Sequence, residues 1–354
     1  MRPHGTERRS QLVSIQCLRG VAALLVLFHH VRIPTNWLFD PLEPFRFGTG
    51  GVDLFFVVSG FIMIIAAREE SVGGFVVRRV VRIVPLYWLA TFAYIAVLML
   101  LRPWADAPLS TGTVVRSLLF IPYYRQDFAV PTPILVPGWT LNFEMAFYAV
   151  FAVGLACRRP LLVAGAILVI LIGVGVLLHD KGPMAAVWTS PLLSRFLGGM
   201  LLGQLHLSVG LRRFGLLLPI GAVGLLVCAM PLAARIDHLA LLRGLSAIAV
   251  VAGAVALEDR FAAHVPQLPK QLGDASYSLY LSHWPVLAAL HAAHGLLPAY
   301  GWCQFLLWMV IGLSVPIVAG LLVHRWVEAP MTQLFRRLVV QPLRAGNKLT
   351  GQRT

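Results

Sequence analysis

The sequence predicts an all-α, polytopic membrane protein with about ten transmembrane helices and both termini cytoplasmic. The first observation is composition: 58% of the 354 residues are hydrophobic, 12% are charged and the mean hydropathy is +0.78. No soluble domain of this size needs that balance. The second is periodicity, since apolar runs of spanning length recur near 14–34, 51–67, 83–101, 138–157, 161–178, 191–207, 214–232, 239–257, 275–297 and 303–324. Turn residues or charges bound each run. The third is the distribution of positive charge. With a cytoplasmic N-terminus, twenty of the 29 Lys and Arg fall in inside segments and seven outside, leaving Arg195 and Arg243 within helices. That bias places both ends inside and favours an even number of spans.

The formal charge of +14 would suggest nucleic acid in a soluble protein. Here most of it is orientation signal, and no nucleic-acid partner is expected. Cys17, Cys157, Cys228 and Cys303 stand far apart without CxxC or metal spacing, as buried apolar residues do. The basic arm MRPHGTERRSQ leads into an apolar run long enough to span, so the first run reads as a retained helix.

Residues 1–330 read as one integral-membrane domain and 331–354 as a basic cytoplasmic tail near anionic lipid. The links at 158–160 and 208–213 are short enough for tight hairpins. The longest outer loop, Arg102 to Pro137, is rich in proline and aromatics and long enough to fold over a site as a lid.

The first helix carries CLRGVAALLVLFHH, with Arg19 and His30 eleven positions apart. At the α-helical rise this is roughly 16 Å, so a cytosolic charge and a deep imidazole lie near opposite sides of the bilayer. Ionisable residues inside membrane helices are costly and usually mark a pathway or a site. From the expected topology, His30, Asp53 and Glu144 reach similar depths in the outer half of the membrane. A carboxylate beside histidine fixes its tautomer and raises its basicity, which suits a general base or an acyl-accepting nucleophile. His29 points about 100° away from His30 and faces elsewhere.

SYSLYLSHWP adds His283 on a helix that Pro285 can kink. Arg79 and Arg82, three apart on one helix face beside Arg78, suit the phosphates of a ligand. Arg195 and Arg243 either neutralise Asp53 or Glu144 or touch an anionic or sugar acceptor. The glycines of GTGGVDLFFVVSGF form no phosphate loop, because no lysine follows at the required spacing. There is no GxSxG elbow and no metal-ligand pattern, so no metal is expected.

Taken in order, LRGVAALLVLFHH, GVDLFFVVSGF, RRVVRIVPLYW, GWTLNFEMAFY and SYSLYLSHWP resemble the bacterial integral-membrane acyltransferase family of type three. This family includes O-acetyltransferases of exopolysaccharide, O-antigen and Nod factors. The likeness runs from about Ser14 to Pro330 and is closest to members that acetylate exopolysaccharides. It implies an acyl group taken from cytosolic acyl-CoA, most simply acetyl-CoA, and delivered to a hydroxyl of an extracytoplasmic or lipid-linked glycan at the bacterial inner membrane.

By the same likeness His30 is the catalytic histidine, Asp53 the acidic residue of the second helix, and Trp139 and Glu144 the tryptophan-to-glutamate motif. Arg19, Arg79 and Arg82 are expected to hold the CoA phosphates. Trp139, His283, Arg195 and Arg243 are then the residues for the acceptor side, although Arg195 occupies a position often acidic in relatives. Besides the glycan, expected partners are membrane lipids and proteins of polysaccharide biosynthesis or export. The competing reading is a glycan or proton-coupled transporter in which the buried histidines and acids form a proton relay.

Overall fold

The computed structural model describes residues 12–33, 37–66, 71–101, 109–126, 128–179, 181–235, 238–297, 300–335 and 337–338. The N-terminal arm and nearly all of the expected basic tail lie outside these residues. Among the described residues there are helices and connecting loops and no strands.

Each of the ten apolar runs is a helix: α1 Val13–Val31, α2 Gly50–Ala66, α3 Val72–Leu101, α5 Trp139–Ala156, α6 Pro160–Leu177, α8 Leu193–Ser208, α9 Leu217–Ala229, α10 Leu239–Ala256, α13 Ser276–Ala292 and α14 Trp302–Val323. Short helices intervene: α4 Thr111–Leu118, α7 Pro183–Trp188, α11 Glu258–His264, α12 Gln267–Asp274 and α15 Ala329–Phe335. Six helical stretches among the described residues are long and apolar enough to cross a membrane: Val13–Val31, Val72–Leu101, Val136–Ala156, Pro160–Leu177, Leu239–Ala256 and Trp302–Phe335. α2 and α9 are equally apolar but shorter, at 17 and 13 residues. The chain is a multi-pass membrane protein, and its outward side chains fit that reading. Leu162, Ile170, Val176 and Leu177 of α6 are all exposed, as lipid-facing residues are.

α3 begins at Val72, eleven residues before the start expected from hydropathy. Arg78, Arg79 and Arg82 therefore lie within a 30-residue helix rather than ahead of it. Arginine is a good helix former, so the helix runs on past the apolar slab that hydropathy detects.

The interior is organised around α2, which packs on α1, α8 and α10. A Cβ at Gly60 would collide with Phe196 O, and one at Gly199 with Val57 O, so glycine at both positions is what lets α2 and α8 touch backbone to backbone. α13 sits between α1, α3 and α14, while α6 folds back on α5 through the short link at 158–160. The 208–213 link does not make a matching hairpin, because α9 takes α10 as its main partner.

The described part of the 102–137 loop is tied down by hydrogen bonds. Tyr87 OH donates to Ser117 O at 3.0 Å, Ile134 N donates to Ser117 Oγ at 3.0 Å, and Arg125 donates to Pro133 O at 3.2 Å. Ile134 and Leu135 are almost fully buried. The loop thus dips into the bundle, and residues 131–138 are buried ahead of α5.

Candidate active site

One cleft reaches into the bundle between α1, α2, α3, α5 and α13. Arg19, Arg79 and Arg82 line it together with Ser59, Glu144, Tyr148, Ser276, Tyr277 and Tyr280. At the arginine end, the Arg79 guanidinium lies over the rings of Phe75 and Tyr148, 5.4 and 5.8 Å from their centroids. Such stacking holds a planar cation while leaving its N–H groups for an anion. Two polar atoms at this end are buried without a hydrogen-bond partner among the described residues, Arg79 Nε and Ser276 Oγ. Buried donors without partners are rare in native structures, and here both belong to residues that line a cleft fit for phosphate.

At its other end the cleft reaches Tyr280, whose hydroxyl donates to Pro137 O at 2.9 Å and lies 2.6 Å from Thr140 Oγ1. The Tyr280 ring is 6.0 Å from that of His283, three positions further along α13. His283 in turn meets His30: His283 Nε2 and His30 Nδ1 are 2.9 Å apart and the rings stack at 21°. The edge of Trp284 closes the other side of His30 at 5.1 Å and 83°. His283, named for the acceptor side from sequence, is thus the direct neighbour of His30.

The expected grouping of His30 with Asp53 and Glu144 is not what the structure contains. Glu144 belongs to the arginine cleft, where it accepts hydrogen bonds from Ser59 Oγ at 3.3 Å and from Tyr148 OH. The reason is the dipping loop. Pro137, just ahead of α5, and Thr140 in its first turn already meet Tyr280, one turn before His283 on α13, and Glu144 lies about one further turn along α5.

Asp53 is almost fully buried and engaged by two arginines, with Oδ1 accepting from Arg195 Nε at 2.8 Å and Oδ2 from Arg243 Nε at 2.5 Å. Gly51 packs on Ala22 and Val26 of α1, while the bonds of Asp53 turn it towards α8 and α10. Of the alternatives for Arg195 and Arg243, neutralising Asp53 is the one the structure contains. Arg195 is further fixed by Pro191 O at 3.2 Å, by Ser194 Oγ at 3.0 Å and by Ala240 O. Trp139 packs edge-on against Phe143 at 5.7 Å and does not line the cleft.

Sequence reasoning missed several polar groups. Tyr148 was readable as the residue one turn beyond Glu144, and Tyr280 as one turn before His283. Glu328 carried no local signal. It accepts from Ser278 Oγ at 2.6 Å, and His324 Nδ1 lies 2.8 Å from the same carboxylate oxygen. Among the described residues, no group of three His, Cys, Asp or Glu is placed to hold a metal ion.

A family model described as an acyltransferase domain matches residues 12–325, which includes every helix of the cleft. The chain belongs to the type-three acyltransferase family. Among curated relatives, the acyltransferase is 39% identical over 252 residues to the exopolysaccharide production protein ExoZ of Rhizobium meliloti (strain 1021), covering 68% of this chain and 76% of that protein. It is 31% identical over 152 residues to the acyltransferase MdmB of Streptomyces mycarofaciens, covering 40% of this chain and 38% of that one. No solved structure matches the acyltransferase chain. Family and relatives together make it a membrane acyltransferase.

Proposed function

We propose that the protein is an O-acyltransferase of the bacterial inner membrane. It takes an acyl group, most simply acetyl, from cytosolic acyl-CoA and transfers it to a hydroxyl of an extracytoplasmic or lipid-linked glycan such as an exopolysaccharide. The observation that carries this reading is the cleft, which begins at Arg19, Arg79 and Arg82 and ends at Tyr280 beside the His283–His30 pair. The name of the exopolysaccharide-production relative supports the glycan as acceptor. The positive-charge bias of the sequence, which favours ten spans with both termini cytoplasmic, supports putting the arginines on the CoA side.

In this reading the CoA phosphates pair with the arginines, each contact a charge-assisted hydrogen bond. The extended thioester arm follows the cleft past Ser59 and Thr140. His30 takes the proton of the acceptor hydroxyl as its oxygen attacks the thioester carbonyl. The carbon–sulfur bond breaks, the thiolate leaves, and the proton on His30 passes to that sulfur. The net change is thioester plus alcohol to ester plus thiol, with His30 returned to its starting state. Glu144 tempers the positive end of the cleft and orients Tyr148, while Asp53 with Arg195 and Arg243 fastens α2 to α8 and α10.

The test is thiol release by purified protein in detergent or nanodiscs, given acetyl-CoA with and without a lipid-linked or soluble acidic exopolysaccharide fragment. The reading expects CoA release that depends on acceptor, with label appearing as a base-labile ester. Movement of glycan across vesicles without acyl-CoA consumption would favour the transporter instead.

A further inference from the structure

The direction of the hydrogen bond between His30 and His283 follows from the third atom in the chain. His283 Nδ1 lies 3.1 Å from Leu279 O. A carbonyl oxygen has lone pairs and no hydrogen, so the imidazole nitrogen facing it must be the donor. In neutral His283 the proton therefore sits on Nδ1, and Nε2 carries the lone pair. That Nε2 faces His30 Nδ1 at 2.9 Å, so His30 supplies the hydrogen of this bond. Neutral His30 is then protonated on Nδ1 and carries its lone pair on Nε2. Among the described residues His30 Nε2 makes no hydrogen bond.

We propose that His283 is a positioning residue that holds His30 in the Nδ1–H tautomer, so that His30 Nε2 is the atom that meets the acceptor hydroxyl. It fills the place that a carboxylate takes in a nucleophile–histidine–acid triad. Among the described residues no carboxylate bonds to His30 in its place: Asp53 is shared between Arg195 and Arg243, and Glu144 between Ser59 and Tyr148.

When His30 Nε2 takes the hydroxyl proton, the new positive charge lies along a line of acceptors: His30 Nδ1–H to His283 Nε2, and His283 Nδ1–H to Leu279 O. The edge contact of Trp284 opposes rotation of the His30 ring out of this line. A neutral partner of this kind orients the base as an anion would, while adding no further buried charge.

The inference rests on His30 being the base, and the measurements separate the two claims. Histidine-selective 15N NMR of the unmutated protein in nanodiscs, with His30 assigned by the signals lost in His30→Asn, reads the tautomer directly. The expected spectrum has His30 protonated at Nδ1 and bare at Nε2, with a scalar coupling across the bond to His283 Nε2. A His30 protonated at Nε2 overturns the proposal, whatever the activity.

In kinetics, His283→Phe keeps a ring in the space and removes the acceptor. It is expected to lower kcat by about 10²-fold or more, towards the roughly 10⁴-fold loss seen when a catalytic histidine is left in the wrong tautomer, with donor KM unchanged. His283→Gln, whose amide oxygen can accept from Nδ1, is expected to recover part of that loss. A phenylalanine variant with parental kcat contradicts the proposal. If His30→Ala keeps its transfer rate, the base assignment falls, and the spectrum still decides the tautomer.

Discussion

Arg195 Nε donates to Asp53 Oδ1 across 2.8 Å, and the two side chains are only 3% and 1% exposed. The pair joins α8 to α2, and Arg243 adds α10 through the other carboxylate oxygen. Removing one partner from a buried pair strands the remaining charge and costs about 3–5 kcal/mol. Asp53→Ala is therefore expected to melt well below the parent in detergent, and the double variant Asp53→Ala with Arg195→Leu to regain part of the loss. Thermal unfolding by light scattering or tryptophan emission checks this. An Asp53→Ala protein that melts with the parent would show that the clasp holds nothing together.

Arg79 and Arg82 share one face of α3 and open into the cleft. Each hydrogen bond from a cation to phosphate contributes about 1.5–3 kcal/mol. Arg79→Gln and Arg82→Gln are each expected to raise the donor KM by about 10- to 100-fold, leaving the melting temperature near that of the parent. Isothermal titration with CoA lacking the acyl group reads the same loss without turnover. Unchanged affinity in both variants would remove CoA from this end of the cleft.

Glu144 lies with the arginines and not with the histidines. Glu144→Gln is expected to shift donor KM and leave kcat within about tenfold of the parent, against the 10²–10⁴-fold typical of losing a general base. Steady-state kinetics with varied acyl-CoA distinguishes the two. A kcat collapse as deep as that of His30→Ala would return Glu144 to the reacting centre.

The first helix is anchored by a residue far along the chain. Val13 N and Ser14 N donate to the Glu258 carboxylate at 2.6 and 2.9 Å, and the Ser14 hydroxyl adds a third bond. A carboxylate at a helix N-terminus satisfies free N–H groups and complements the dipole. Glu258→Ala is expected to cost about 1–2 kcal/mol, read as a lower melting temperature with donor KM unaffected. Parental stability would contradict the anchoring role.

Each of the ten runs that hydropathy located is a helix, and six described stretches are long and apolar enough to cross a membrane, because burial in lipid or in a bundle demands apolar runs whatever their neighbours are. Hydropathy misjudged the start of α3, since arginines extend a helix that a hydropathy window ends. His30 and His283 were legible as polar residues in apolar helices, yet their pairing was not. Which side chains meet depends on how α1 and α13 are rotated and slid against each other, and no local spacing encodes that. The placement of Glu144 failed for a related reason: residues 133–138 are already buried in the bundle before α5 begins, and the helix then carries Glu144 to Ser59 and Tyr148 in the arginine cleft. For Arg195 and Arg243, sequence offered Asp53 or Glu144 as the counter-ion, and only packing of α8 and α10 on α2 decides between them.

The most direct test of the central claim is transfer of label from radiolabelled acetyl-CoA to a glycan acceptor by purified parent and His30→Ala proteins of equal folded content. The account predicts acceptor-dependent transfer by the parent and a loss of about 10²–10⁴-fold in His30→Ala, with CoA still binding at Arg79 and Arg82. A His30→Ala protein that transfers label at the parental rate would contradict it.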